Sequence, residues 1–356
     1  MSVDVDVVIA IHDPARAIDR AVRSVLDGIR AEVRVTVVAH NTAAGPIRDR
    51  LHELAGDPRL RFHELQDGIR SPSGPFNAGL DLADAAYTAV MGSDDELEPG
   101  AVDSWLALAR RERADVVIAR LRRAGARPIP TPPTRPFRTR GLDGVRDRLS
   151  YRSAPLGLVS TNAFPTLRFT PGRPVGEDVP YVTRLWFSGA RICYDRSGPA
   201  YLVHDDAPQR MTLTPRPVEA ELAYLSDVLG ADWFARIDEE ARAAFCVKAM
   251  RIHLFGAVHN RPDPSGWTRD ERVSLADTAR ALIAAGGGIE RALSRRDRTL
   301  LDAILDPATP AEDLLRVAAS RRRFGTPGTV LPRRLRDLFH REAPPRMMAA
   351  SALQLL

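Results

Sequence analysis

Apolar and polar residues follow two alternating patterns along the first 215 residues of the chain. Short apolar runs, bounded by turn residues, are typical of strands in a sheet that is covered on both faces. These runs lie at residues 5–11, 33–39, 60–65, 87–91, 115–121, 157–164, 191–194 and 200–203. Between them, apolar residues recur at three- and four-residue spacing, as at Ile18, Val22 and Val25, which predicts helices. Strands that alternate with helices predict an α/β fold with a mostly parallel sheet between helices.

The pattern becomes purely helical from about residue 216. Leu222, Leu225 and Val228, for example, fall on one face of a predicted helix. We therefore predict two units: an α/β domain at residues 1–215 and a helical C-terminal domain at residues 216–356.

Further helices are predicted from Pro14, around Ile47, from Ser73 to about Asp84, from Pro99 to Arg113, and at residues 177–188. Residues 122–140 interrupt the alternation with many arginines and prolines. They are either an exposed linker or a mobile flap beside the functional site.

The charge balance is basic, with 51 Lys and Arg against 46 Asp and Glu. Almost all of the positive charge is arginine, and Lys248 is the one lysine. Arginine suits phosphate ligands, because its planar guanidinium matches two phosphate oxygens. The sequence has no alternating aromatic and basic stripe, so nucleic acid is not indicated. The sequence does not determine the oligomeric state, and a homo-oligomer is one of the open alternatives.

Three features bear on the compartment. Cys193 and Cys246 are the two cysteines, too few for a disulfide framework. The first residues lack a secretory signal pattern, and no apolar run reaches the roughly 20 residues that span a membrane. We predict a cytoplasmic protein, with peripheral attachment at the inner face of the cell membrane left open.

An acidic motif, Gly92-Ser93-Asp94-Asp95-Glu96, follows the apolar run at residues 87–91. Ligands of open α/β sheets bind at the carboxyl ends of strands. Two carboxylates there suit Mg²⁺ or Mn²⁺, which prefer oxygen ligands. The alternative is a solvated turn whose acids favour the next helix start.

Other polar positions also follow predicted strands or begin helices. Asp13 follows the first strand, and His40 and Asn41 follow the second. Glu177 and Asp178 lie at a predicted helix start. A Gly-x-Gly-x-x-Gly turn, a P-loop and a Gly-x-Ser-x-Gly elbow are all missing, which argues against a Rossmann dehydrogenase, a P-loop enzyme and an α/β-hydrolase.

Taken in order, these motifs resemble a family 2 glycosyltransferase of the GT-A fold over roughly residues 3–215. The resemblance rests on Ala10-Ile11-His12-Asp13, Ser24-Val25-Leu26, Ala39-His40-Asn41, Asn77-Ala78-Gly79, the acidic motif and Gly176-Glu177-Asp178. The chain departs from the family pattern Asp-x-Asp-Asp, because Gly92 stands in place of the first acid.

The resemblance implies roles for individual residues. It implies a Mg²⁺ or Mn²⁺ cofactor held by Asp94 and Asp95, with His204 as a further ligand, and Asp178 as the general base. The nucleotide-sugar contacts that it implies are Asp13, His40, Asn41, Asn77, Asp94, Glu177, Arg210 and Thr212.

The function that this resemblance implies is a metal-dependent, inverting hexosyl- or N-acetylhexosaminyl-transferase. Its donor would be a nucleotide diphosphate sugar of the UDP type. Its acceptor would be a hydroxyl on a cell-surface glycan, on a polyol-phosphate polymer such as teichoic acid, or on a lipid-linked sugar. The alternative is a catalytically decayed module that binds nucleotide-sugar or glycan. Gly92 favours that alternative, and the retained Asp94, Asp95 and Asp178 oppose it.

A basic segment near the C-terminus, residues 331–339, predicts an amphipathic helix with Leu and Phe opposite Arg. Such a helix either packs on its own domain or binds an anionic membrane surface or polymer.

Overall fold

The computed structural model describes residues 3–205 and 216–355. Its strands are β1 (Val5–Ile11), β2 (Val33–His40), β3 (Leu60–Leu65), β4 (Tyr87–Gly92), β5 (Glu96–Leu97), β6 (Val116–Ala119), β7 (Leu121–Arg123), β8 (Gly157–Ser160), β9 (Ile192–Asp195) and β10 (Tyr201–Val203). The helices that accompany them are α1 (Ile18–Leu26), α2 (Ala44–Leu51), α3 (Ser73–Asp81), α4 (Ala101–Glu112) and α5 (Asp178–Trp186).

Residues 216–355 form helices and contain no strand of either sheet. They are α6 (Val218–Leu229), α7 (Asp232–Arg236), α8 (Glu239–Lys248), α9 (Phe255–His259), α10 (Arg269–Gly286), α11 (Arg295–Leu305), α12 (Ala311–Arg321), α13 (Pro327–Val330) and α14 (Pro344–Leu353).

The main sheet has seven strands in the order β3-β2-β1-β4-β8-β6-β9. β1 pairs in parallel with both neighbours, so that Val5 lies opposite Val33 on one side and Tyr87 on the other. β8 runs antiparallel to β4 and β6. A three-stranded sheet, β5-β10-β7, lies beside it. The predicted α/β architecture with a mostly parallel sheet is confirmed.

Side chains of β1 alternate between two hydrophobic clusters, because successive residues of a strand point to opposite faces. Val7 and Ile9 join the cluster formed with α1 and α4. Val8 joins the opposite cluster, which includes Leu80 of α3 and Tyr181 of α5. Helices therefore cover both faces, and the polar ends of the strands remain for ligands.

Several predicted bounds of strands and helices differ from the observed ones. The apolar run at residues 115–121 is two strands, because the chain leaves the main sheet at Ala119 and enters the small sheet at Leu121. The first helix starts at Ile18 instead of Pro14, since the Asp13 side chain accepts a hydrogen bond from the Ala15 amide and forms a turn. The strand predicted at 157–164 ends at Ser160.

The proline- and arginine-rich segment at residues 122–140 is packed against the protein in part: residues 132–134 are buried, whereas residues 123–127 and 136–138 are exposed. Thr134 is buried. Arg135 donates to both carboxylate oxygens of the fully buried Asp147, at 2.8 and 2.6 Å. A paired and hydrogen-bonded charge of this kind fixes the backbone around it.

A third hydrophobic cluster, which forms the core of the C-terminal helices, lies among them. Val179 of α5 belongs to this core, whereas Tyr181 of the same helix belongs to the sheet's core. The start of α5 is therefore a junction between the two cores. The predicted boundary between residues 215 and 216 adjoins the undescribed segment and stays a prediction. Within the described residues, no helix is long and apolar enough to cross a membrane.

The predicted amphipathic helix at residues 331–339 was wrong. Only Leu335–Phe339 is helical, as a short 3₁₀ turn. Its inward side chain is Asp337, which pairs with Arg291, whereas Leu335 and Phe339 are 63% and 83% exposed. Pro332 and the irregular backbone prevent a continuous apolar face.

Candidate active site

The polar ends of β1, β2 and β4 meet at one edge of the main sheet. His12, just after β1, interacts electrostatically with His40 at the end of β2 and with Asp94 just after β4. Partial burial, followed by the nearby Arg16 cation, lowers the pKa of His12. The strand ends thus bring together the three segments that the sequence indicated.

Asp94 and Asp95 lie in the turn between β4 and β5. The Asp94 carboxylate pairs with Arg16 at 3.1 Å. Asp95 accepts a hydrogen bond from the Tyr201 hydroxyl at 2.5 Å and one from the His204 amide at 3.2 Å. Burial, and then the neighbouring charge of Asp94, raises the pKa of Asp95. A partly buried carboxylate beside a second one is stabilised in its charged form by a cation.

Gly92 explains why the acidic motif has only two of the family's acids. A Cβ atom at residue 92 would lie 2.6 Å from Asp95 Oδ2 and 3.3 Å from Asp94 Oδ1. Both carboxylates therefore converge on the space that a first acid would use. In this arrangement the glycine makes room for Asp95, so the missing acid does not by itself mark a decayed site.

The donor set fits a Mg²⁺ or Mn²⁺ ion that is completed by its substrate. No group of three or more His, Cys, Asp or Glu side chains in residues 3–205 and 216–355 is placed to hold a metal ion alone. Mg²⁺, however, is commonly held by one or two carboxylates, with water and substrate phosphates as its other ligands. Asp94 and Asp95 are such a pair. The His204 ring contacts Glu96 at 3.0 Å, and its role as a ligand stays a prediction.

His40 and Asn41 form a small network with Asp67, a residue that the sequence analysis missed. Asp67 Oδ1 lies 2.9 Å from His40 Nε2 and accepts from the Asn41 amide at 3.2 Å. Burial would raise the pKa of Asp67, but hydrogen bonds from Ile69, His40 and Asn41 outweigh it and lower the pKa. The network holds both side chains at the end of β2, where their donor contacts stay predictions.

Asn77 has both polar groups of its amide engaged within the protein. It donates to the Phe169 carbonyl at 2.9 Å and accepts from the Phe169 amide at 2.8 Å. These bonds tie α3 to the segment that leads to Glu177. A direct contact between Asn77 and the donor stays a prediction.

Asp178 begins α5 at the junction of the two cores, and Glu177 precedes it. Both residues are partly accessible, although protein surrounds them on most sides. Burial raises the pKa of Asp178, and the Lys248 cation acts in the opposite direction. Burial and then the Asp178 charge raise the pKa of Glu177. A deep but accessible carboxylate with a raised pKa has the properties of a general base.

Two predicted donor contacts, Arg210 and Thr212, lie outside the described residues. Tyr201 and Arg16 contact the acidic motif but were not predicted. The Gly92 amide donates to the Tyr201 hydroxyl at 3.0 Å, across 109 residues of sequence. No local motif indicates such a distant partner, whereas Arg16 is signalled by its position just after the first strand.

Comparison with known proteins gives a family match for the first part of the chain. Residues 6–166 match the family model described as Glycosyl transferase family 2. The succinoglycan biosynthesis protein ExoO of Rhizobium meliloti (strain 1021) is 33% identical over 118 residues, which is 33% of this chain and 32% of that protein. The chain thus aligns with about a third of that relative's length.

Solved structures resemble almost the whole chain. S. aureus TarS 1-349 in complex with UDP-GlcNAc has a TM-score of 0.71 at 15% identity, covering 90% of this chain and 91% of that chain. The complex of the same protein with UDP has a TM-score of 0.69 at 16% identity, with the same coverage. At this identity the likeness concerns the fold. It confirms a GT-A fold followed by a helical C-terminal region.

Proposed function

We propose that the protein is an inverting, metal-dependent glycosyltransferase, because residues 6–166 match the family model described as Glycosyl transferase family 2. Its donor is a UDP-linked hexose or N-acetylhexosamine. The proposal for UDP draws on TarS, which is similar in fold and binds UDP and UDP-GlcNAc. The fixed polar groups of His40 and Asn41 are suited to the hydrogen-bonding edge of a uracil.

The observation that carries the proposal is the presence of two acidic centres with different surroundings. Asp94 and Asp95 lie side by side in a turn at a strand end, where a cation is favoured. Asp178 lies elsewhere, at a helix start, with a single cation acting on it. Sugar transfer needs such a division, because the leaving diphosphate must be neutralised while the acceptor loses a proton.

The proposed reaction is a single displacement. A carboxylate oxygen of Asp178 takes the proton of the acceptor hydroxyl as its oxygen attacks the anomeric carbon. The bond between that carbon and the diphosphate oxygen breaks on the opposite face, so the configuration inverts and UDP leaves. Asp94 and Asp95 would hold Mg²⁺ or Mn²⁺, which supplies positive charge to the leaving diphosphate. The protein's part is to place base and leaving group on opposite sides of the sugar.

The acceptor is proposed to be a hydroxyl of a cell-surface glycan, of a polyol-phosphate polymer or of a lipid-linked sugar. This chain is similar over part of its length to a protein of succinoglycan biosynthesis. The rival proposal is a decayed module that binds donor without transfer. Gly92 no longer favours that rival, because it makes room for Asp95.

Calorimetric titration of UDP, UDP-GlcNAc, UDP-glucose and GDP-mannose, each with and without Mn²⁺, tests the proposal. We expect a UDP-linked sugar to bind at least about tenfold more tightly with Mn²⁺, because the ion joins the diphosphate to two carboxylates. Slow hydrolysis of the bound donor, followed as UDP release, identifies an enzyme. Tight binding without any release of UDP over a day supports the decayed module instead.

We further propose that the protein works in the cytoplasm at the inner face of the membrane. The exposed Leu335 and Phe339, with Arg333, Arg334 and Arg336 around them, combine apolar and basic groups that suit anionic lipid. The double variant Leu335→Ser/Phe339→Ser is therefore expected to float less with vesicles containing phosphatidylglycerol at 50 mM salt. Equal flotation of parent and variant would remove this proposal, and neutral vesicles are the control.

A further inference from the structure

Lys248 is the one lysine of a chain that has 51 basic Lys and Arg residues. It ends α8 and is 2% exposed. Burial lowers the pKa of Lys248 to about 8, and Asp178 is the acid that acts to raise it. A buried ammonium is costly unless partners hold it. Its retention inside the protein therefore needs an explanation.

A π-helical segment, Ala249–Leu254, follows Lys248 and brings His253 next to it. The distance from Lys248 Nζ to His253 Nε2 is 2.6 Å. Residues five positions apart point about 140° away from each other on an α-helix, whereas the wider π turn aligns them. Interruptions of this kind are frequent at functional sites. The change of helix type thus creates the contact between the two side chains.

The protons of this contact can be assigned from its chemistry. An ammonium only donates, so His253 Nε2 accepts from Lys248. The other ring nitrogen, Nδ1, then carries the hydrogen and donates to the Tyr224 hydroxyl at 2.7 Å. Burial, and then the Lys248 charge, lowers the pKa of His253 well below its usual value, which keeps the ring neutral. The three residues form a continuous chain of hydrogen bonds.

Tyr224 connects this chain to the segment that carries the proposed base. Gly176 has a φ angle of +72°, and a Cβ atom there would lie 2.2 Å from the Tyr224 ring. The backbone just before Glu177 therefore packs directly on that ring. Arg173 adds a second link, with two hydrogen bonds to Asp227 of α6 at 2.7 and 2.6 Å.

We propose that Lys248 is a positioning residue that supplies a positive charge to Asp178, with its ammonium held by His253, whose ring is fixed in turn by Tyr224. The proposal rests on the function proposed above, in which Asp178 is the base. A positive charge nearby favours the ionised carboxylate and so lowers the pKa that burial raises. Asp178 therefore stays ionised, and ready to accept a proton, at a lower pH than burial alone would give.

Charged and titratable groups lie on the elements around Asp178. Glu177 precedes it, Tyr224 and Glu221 come from α6, and Lys248 and His253 come from α8 and the π segment. Tyr151 belongs to a 3₁₀ turn, Leu149–Tyr151, that contacts both α5 and α8, and its hydroxyl accepts a hydrogen bond from Arg251 at 2.9 Å. Lys248 is the cation in this set that acts on Asp178.

The test is the variant Lys248→Met, which keeps the length and removes the charge. We expect the acid limb of the kcat/KM profile to move up by about one pH unit, so that activity falls about tenfold well below pH 6 and changes little at pH 9. The affinity for UDP with Mn²⁺ should stay the same. The matched control is Arg272→Met, which removes another buried cation of the helical region that is bonded to backbone carbonyls.

Two further measurements separate the possible failures. A ¹³C NMR titration of labelled aspartate reports the pKa of Asp178 whether or not the protein turns over, with Asp178→Asn to assign the signal. The inference is overturned if Lys248→Met leaves that pKa unchanged, whereas lack of turnover in the parent overturns the proposed function alone. If Lys248→Met does not fold, Tyr224→Phe keeps the ring on Gly176 and should give a smaller upward shift; an unshifted pKa there also overturns the inference.

Discussion

Asp178→Asn is expected to reduce turnover by roughly 10²–10⁴-fold while UDP with Mn²⁺ binds as tightly as in the parent, because loss of a general base has an effect of this size. The amide has the shape of the carboxylate but cannot take a proton from the acceptor hydroxyl. Asp178 is the first residue of α5, where asparagine of the same size is acceptable, so the fold should be kept. Initial rates with a saturating acceptor and calorimetric UDP titration measure the two quantities separately.

The pH dependence of the parent follows from the same residue. Burial raises the pKa of Asp178 to about 6, above the usual value for aspartate. The carboxylate is ionised above that pH, so kcat/KM should rise with pH through about 6 and then level off. This limb should vanish in Asp178→Asn. Glu177→Gln is a useful comparison, since it removes the adjacent acid and should move the limb downward. Full turnover in Asp178→Asn would place the base elsewhere.

The sequence was sufficient to predict the fold where burial is uniform. β1, β2 and β4 were predicted within one residue of their observed ends, because both of their faces are covered and most of their residues are apolar. The prediction failed at residues 115–121, where one apolar run serves two sheets. An apolar pattern reports burial, and it does not report which neighbouring strand provides the pairing.

The residues of the candidate site also fall into those that local sequence order places and those that only tertiary packing places. The placement of Asp94 and Asp95 after a strand and of Asp178 at a helix start could be predicted from local order along the chain, and their roles stay predictions. Lys248 could not be predicted, since its relation to Asp178 depends on how the helical region packs on the start of α5 and on a π turn that has no sequence signal. Tyr201 reaches Gly92 and Asp95 from the small sheet, and that contact depends on strand pairing over more than a hundred residues.

Asp95→Asn is expected to abolish the effect of Mn²⁺ on UDP binding and to lower turnover by at least about 10²-fold. The amide oxygen can still accept from the His204 amide, and the amide nitrogen can donate to the Tyr201 hydroxyl, but the side chain lacks the negative charge that a divalent cation requires. In metal-free buffer the parent and the variant should bind UDP equally. Removing the charge also relieves the repulsion between two neighbouring carboxylates, so the thermal stability of the metal-free variant should equal or exceed that of the parent.

The matched control is Asp27→Asn, the same chemical change at a side chain that is 59% exposed and forms a surface ion pair with Arg23. It should leave Mn²⁺-dependent binding unchanged, because such pairs contribute little. If Asp95→Asn still binds UDP more tightly with Mn²⁺, the cation is held elsewhere, and the partly buried Asp95 serves the fold through its contact with Tyr201. If both Mn²⁺ dependence and turnover disappear while the protein remains folded, the convergence of Asp94 and Asp95 on Gly92 has a catalytic reason: with no side chain at residue 92, the space beside the leaving diphosphate is kept for two carboxylates and their cation.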